Sequence, residues 1–163
     1  MGASAGLNSD VPIATIGVAG SSVPVTGSVK SLGVTLDSKL TFDQHVRNVC
    51  QSSAYHIRAL RHICKFIDEN AAKSFAVALV SARIDHCNAL PHGISEANIQ
   101  KLQCLQNSLA RAVTGSRKYD HITPTLMNLH WLPISARIEY KIALLAYRTI
   151  TTKHAYYRPT CRR

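Results

Sequence analysis

At Thr41 the spacing of apolar residues changes from two to about three and a half, and that change limits what the chain can build. Upstream, Leu32, Val34 and Leu36 alternate, so 30–36 reads as one strand with a single apolar face. β-Branched pieces at 11–18 and 23–25, punctuated by Gly17, Gly20 and Gly27, read as further short strands joined by turns. So few short strands need a packed face to persist. Downstream, Phe42, Val46, Val49, Ile57, Leu60, Ile63 and Cys64 fall on one side of a helix. Arg47, Arg58, Arg61 and Lys65 gather within roughly 60° of one another on the opposite side, at about 100° per residue.

Four more helices follow from the same period. Asp68 offers an N-cap for a helix over 69–84, which is expected to bury Ala72, Phe75, Ala76, Leu79 and Val80. Pro91 and Gly93 break the chain, Ser95 is expected to cap a third helix carrying Ile99, Leu102, Leu105, Leu109 and Val113, and Gly115 ends it. Thr123-Pro124 opens a short fourth helix, with Pro at its first position, where no donor is needed. Trp131-Leu132-Pro133 makes a turn whose Trp131 is expected to anchor the core. Ser135 starts a fifth helix with Ile138, Ile142, Leu145 and Ile150. The expected fold is therefore a mostly α bundle of about five helices with a small N-terminal β element.

With 163 residues and 46% hydrophobic side chains, one folded domain is expected. No apolar run approaches the roughly 18 residues of a membrane span, and the first residues lack a signal-peptide pattern. An intracellular chain is the default, with nucleus and cytoplasm both open. Five cysteines (Cys50, Cys64, Cys87, Cys104 and Cys161) make an odd set without close pairing, which suits reduced, mostly buried thiols.

The formal net charge is +10, and residues 1–29 contain no Lys or Arg. From Lys101 onward only Asp120 and Glu139 oppose the basic residues. That balance favours a polyanionic partner. Arg111, Arg117 and Lys118 bracket Gly115 near a helix C-terminus, where cations also simply complement the dipole. Tyr147, Arg148, Lys153, Tyr156, Tyr157, Arg158, Arg162 and Arg163 mix cations with aromatics that can pair phosphates and stack on bases, with a frayed basic tail as the plain alternative.

Catalytic constellations are not legible. The nine acidic residues include no Asp-Asp pair, and the one adjacent pair, Asp68-Glu69, sits where capping explains it. His86, Cys87 and His92 are the least unsuitable metal ligands, but they lack the paired spacing of a zinc site. Cys87 with His86 or His121 lacks any readable orienting group for nucleophilic catalysis. No phosphate-binding glycine loop occurs. No catalytic residue, metal, cofactor, small-molecule substrate or membrane partner is therefore expected.

The segment Val29-Lys30-Ser31-Leu32-Gly33-Val34-Thr35-Leu36-Asp37, followed by Leu40-Thr41-Phe42-Asp43-Gln44-His45, resembles the passage from palm to thumb in reverse transcriptases of non-LTR (LINE-type, jockey-like) retrotransposons. Similar phrases recur in the same order at Ser81-Ala82-Arg83-Ile84-Asp85-His86-Cys87-Asn88, Lys101-Leu102-Gln103-Cys104-Leu105-Gln106-Asn107 and Ala110-Arg111-Ala112-Val113-Thr114-Gly115. They continue at Asp120-His121-Ile122-Thr123-Pro124 and Leu129-His130-Trp131-Leu132-Pro133-Ile134-Ser135-Ala136-Arg137, and together span roughly 29–155. His86 stands where relatives often show Tyr.

The resemblance implies a residual palm-like β segment at 1–37, a thumb-like helical domain at 38–155 and a basic tail at 156–163. In that family the thumb clamps the template–primer duplex against the palm. The family's Tyr-Ala-Asp-Asp-like metal site would precede this segment, so a fragment of an RNA-directed DNA polymerase without its catalytic aspartates is expected. Its partner would be RNA or an RNA–DNA hybrid, held without sequence preference by Arg47, Arg58, Arg61, Lys65, Arg111, Arg117, Lys118, Arg137 and Arg148. An inert element remnant, or a helical protein-interaction module prone to self-association, are the alternatives.

Overall fold

The structure is a computed structural model that describes residues 15–86 and 94–151. Two β-hairpins come first. Strands β1 (Thr15–Val18) and β2 (Ser21–Pro24) pair antiparallel, as do β3 (Ser28–Ser31) and β4 (Val34–Asp37). Both turns hold two successive residues at positive φ, Ala19-Gly20 and Leu32-Gly33. Turns of that hand match the twist of the strands they join.

The second hairpin corrects the reading of 30–36 as one strand. Leu32 is the turn, 91% exposed at φ 47°, and Val34 alone of the three alternating residues is buried. A period of two does not distinguish a strand from a tight hairpin whose turn residue keeps the alternation. Gly33 adopts φ +85°, and a Cβ there would lie 3.1 Å from His86 Nε2. Gly33→Ala is therefore expected to destabilise the domain by about 1–2 kcal/mol from the left-handed backbone alone, measurable as a lower urea midpoint.

Asp37 splices β4 to the first helix. Its Oδ1 accepts the amides of Lys39 (3.1 Å) and Thr41 (2.9 Å), and its Oδ2 accepts the Phe42 amide (2.8 Å) and the Thr41 hydroxyl (3.1 Å). These bonds hold a connection in which Leu40 and Phe42 both take positive φ. The Thr41 amide above all, with those of Phe42 and Lys39, keeps the Asp37 carboxyl below its usual pKa. Its contribution to stability is thus full above the ordinary carboxylate value of about 3.9 and fades as pH falls through the depressed folded value. Asp37→Ala should lower the melting temperature at neutral pH and remove that part of the acid-side loss, as read from melts across pH 2–5.

Helices α1 (Asp43–Ile63), α4 (Glu96–Thr114), α5 (Ile122–Asn128) and α6 (Ile134–Thr151) match the expected order. Between them α2 (Glu69–Ala76), a wider π turn (Val77–Ser81) and α3 (Ala82–Asp85) form one unbroken rod, giving five helices in all among the described residues. The fold is mostly α with a small N-terminal β element, as the sequence predicts. Asp68 caps the rod, its Oδ2 accepting the amides of Asn70 and Ala71. Gly115 ends α4 in the left-handed conformation that glycine favours.

Helix α4 is the axis of the core. Its Leu102, Leu105, Leu109, Ala110 and Val113 belong to one buried cluster with Val46, Ile57 and Leu60 of α1, Ala72, Ala76, Val80 and Ile84 of the rod, and Ile134 and Ile138 of α6. Ala76 and Ala110 are fully buried, so small side chains let the helices approach closely. Trp131 packs half-buried against this cluster.

Four expectations change in detail. Phe75 and Leu79 are exposed, because the rod buries a four-residue repeat (Ala72, Ala76, Val80, Ile84) rather than the wider α-helical face. Such a repeat drifts about 40° per step on a regular α-helix, and the i→i+5 turn at 77–81 takes up the drift. Ile63 is exposed at the end of α1. The Ser95 side chain makes no cap bond; its carbonyl instead accepts the amides of Asn98 and Ile99. Pro124 is the third helical residue of α5, still within the turn whose amides need no partner.

Polar side chains of α4, two of them buried, tie the other helices down. Asn98 donates to Asp43 Oδ1 at 2.6 Å and accepts from Lys101. Gln103 Oε1 accepts the orphan amide of Ile134 at the start of α6, and Gln106 donates to the Leu132 carbonyl. No helix among the described residues is long and apolar enough to cross a membrane.

Candidate nucleic-acid interface

Four of the nine candidate cations come together. Arg61 and Lys65, at the end of α1 and in the turn after it, line one cleft with Arg111 and Lys118, at the end of α4 and in its following loop. The cleft encloses about 880 Å³, and no carboxylate lines it among the described residues. Packing of α1 on α4 creates it, since the two pairs lie far apart in sequence.

Two helix C-termini meet here, and their dipoles present roughly half a negative charge each. Four cations exceed that, so dipole complementation alone leaves the cleft strongly positive. Arg111 is held in place by donating from Nη2 to the Asp120 carbonyl at 3.3 Å, while its buried Nε has no hydrogen-bond partner. The Asp120 carboxylate does not line the cleft, and it accepts the Arg117 amide at 2.8 Å. Lys118 Nζ sits 5.7 Å from the centre of the Tyr119 ring.

Hydroxyls complete the wall. Thr114 and Ser116 lie 2.6 Å apart across Gly115, and Ser108 lines the same cleft. Sequence reading missed these three; the run Thr114-Gly115-Ser116 beside two cations was the available signal. Such groups hydrogen-bond phosphate oxygens without reading bases.

The other candidates are placed elsewhere. Arg47 and Arg58 are exposed on α1 without lining the cleft, with Arg47 about 21 Å from Arg61 along the helix at 1.5 Å per residue. Arg117 is exposed beside the cleft. Arg137 lies 3.1 Å from Asp85, an ion pair by distance whose Nη1 is not aimed as a hydrogen bond, and it joins α6 to α3. Arg148 is exposed on the outer part of α6. Lys153, Tyr156, Tyr157, Arg158, Arg162 and Arg163 lie outside the described residues.

Burial pushes the Cys64 thiol up, and it pushes Cys50 up too, partly offset by Lys101 and reinforced by Cys104. Cys50 and Cys64 are half-buried free thiols and Cys104 is an exposed one, so the expected burial of most thiols is not met among the described residues. His86 Nε2 bonds the Leu32 carbonyl at 2.9 Å, and Cys87 and His92 lie outside the described residues. Among the described residues no group of three or more His, Cys, Asp or Glu side chains converges on a metal-sized site. No protein-family profile matches the chain, nor does any curated protein or solved structure.

Proposed function

We propose that this domain binds RNA or RNA–DNA hybrid through the phosphate backbone, as a thumb-like part of a retrotransposon-type RNA-directed DNA polymerase that carries no catalytic aspartates of its own. The cleft carries the reading: Arg61, Lys65, Arg111 and Lys118 line it from two helices, with hydroxyls between them and no carboxylate beside them. Phosphate contacts of this kind position a duplex but do not specify its sequence. The ordered sequence phrases from Val29 to Arg137 support the polymerase origin.

The test is anisotropy of a labelled RNA–DNA hybrid between about 50 and 200 mM salt. Four engaged phosphates predict a log–log slope of about −3 to −4. Affinity that stays flat across this range would overturn the reading.

One observation favours a second reading, a helical interaction module. Tyr140, Tyr147 and Ile150 are 62%, 66% and 77% exposed at helical spacing along α6. Such a stripe suits a partner helix. Sedimentation that depends on protein concentration but not on salt would select this reading.

A further inference from the structure

We infer that the pocket between the β3–β4 hairpin, α1 and α3 is a second anion site, in which Lys30, His45, Arg83 and His86 share one phosphate group. The pocket measures about 290 Å³, and its Lys, Arg and His side chains come from three separate elements. Asn48 and Ser52 of α1 add neutral donors, and no carboxylate lines it among the described residues.

The carboxylates of the three elements, Asp37, Asp43 and Asp85, do not line the pocket. Asp37 accepts from its own loop, Asp43 from Asn98, and Asp85 pairs with Arg137.

Both imidazoles are fixed. His86 is held over Gly33 by its bond from Nε2 to the Leu32 carbonyl, which leaves Nδ1 free of that bond. His45 Nδ1 accepts the Thr35 amide at 3.4 Å, so its proton resides on Nε2. Burial, and then the charge on His86, hold the His45 pKa below its ordinary value. Lys30 and Arg83 both carry a standing positive charge at this pocket, and an anion between them relieves their repulsion. The site is distinct from the cationic cleft: His45 and Arg61 lie about 24 Å apart along α1 at 1.5 Å per residue.

The test is an NMR titration of the histidine imidazoles with inorganic phosphate at constant ionic strength. Phosphate should shift the His45 and His86 resonances and raise the His45 pKa, and its affinity should increase as pH falls from 7.5 to 6. Losing one charge-assisted contact should weaken binding about tenfold in Arg83→Gln and in Lys30→Gln, the latter on an exposed strand that leaves the core untouched. Arg61→Gln, in the other cleft, should leave phosphate binding here unchanged, which separates this site from failure of the nucleic-acid reading. No imidazole response to phosphate, or an undiminished response in both pocket variants, would overturn the inference. Short oligoribonucleotides with and without a 5′-phosphate identify the source. Preference for the phosphorylated one assigns a terminal phosphomonoester, equal perturbation assigns the backbone diester, and no perturbation by either, like silence with phosphate, counts against the site.

Discussion

Replacing Arg61, Lys65 and Lys118 together by Gln should weaken binding to an RNA–DNA hybrid about a hundredfold at 0.15 M salt. Each cation that neutralises a phosphate contributes roughly 0.7–0.9 to the log–log salt slope, so three lost contacts flatten it by about 2–3. Extrapolated from 1 M to 0.15 M salt, that flattening amounts to about two decades in affinity. All three side chains are exposed, and the substitutions leave the apolar core intact. Arg111 is kept, because it also ties α4 to the Asp120 carbonyl. Arg137→Gln provides the contrast. Its partner is Asp85, so the change should reach stability before affinity. A triple variant with unaltered slope would remove the cleft from the binding surface.

The helical part of this fold was legible because burial repeats at the helical period. Leu102, Leu105, Leu109 and Val113 announce α4, and Asp68 and Gly115 mark ends that the structure keeps. The hairpin was not legible, since Leu32, Val34 and Leu36 alternate whether or not the chain reverses between the first two. The π turn was hidden for a related reason: its sequence, Val77 to Ser81, is as apolar as a buried helix, and only tertiary packing selects Val80 over Leu79.

The candidate site was half legible. A helical wheel groups Arg61 with Lys65, but nothing local reveals that α1 and α4 end side by side, which is what joins them to Arg111 and Lys118. Nor does sequence reveal that Arg137 meets Asp85 across the bundle. Buried Asn98 and Gln106 escaped notice because polar residues on a helix read as solvated until their partners, Asp43 and the Leu132 carbonyl, are placed.

Leu109→Ala should cost about 3–5 kcal/mol, the largest stability loss expected of a single change in this domain. Leu109 is fully buried in α4, the helix that meets α1, the rod, α5 and α6, so surrounding side chains have little freedom to close the cavity. Against a total of roughly 5–15 kcal/mol, that loss brings the domain close to unfolding. Phe75→Ala should cost far less, about 1 kcal/mol, because the ring is 48% exposed and complete burial of such a side chain contributes roughly 1.5–3 kcal/mol. Urea melts followed by helical circular dichroism compare the two. Equal losses would mean that the rod turns Phe75 inward, against the register set by the π turn. The comparison also bears on the cleft: Leu109 and Arg111 stand on one helix, so the packing that holds Leu109 inside α4 is the packing that holds Arg111 beside Arg61 and Lys65.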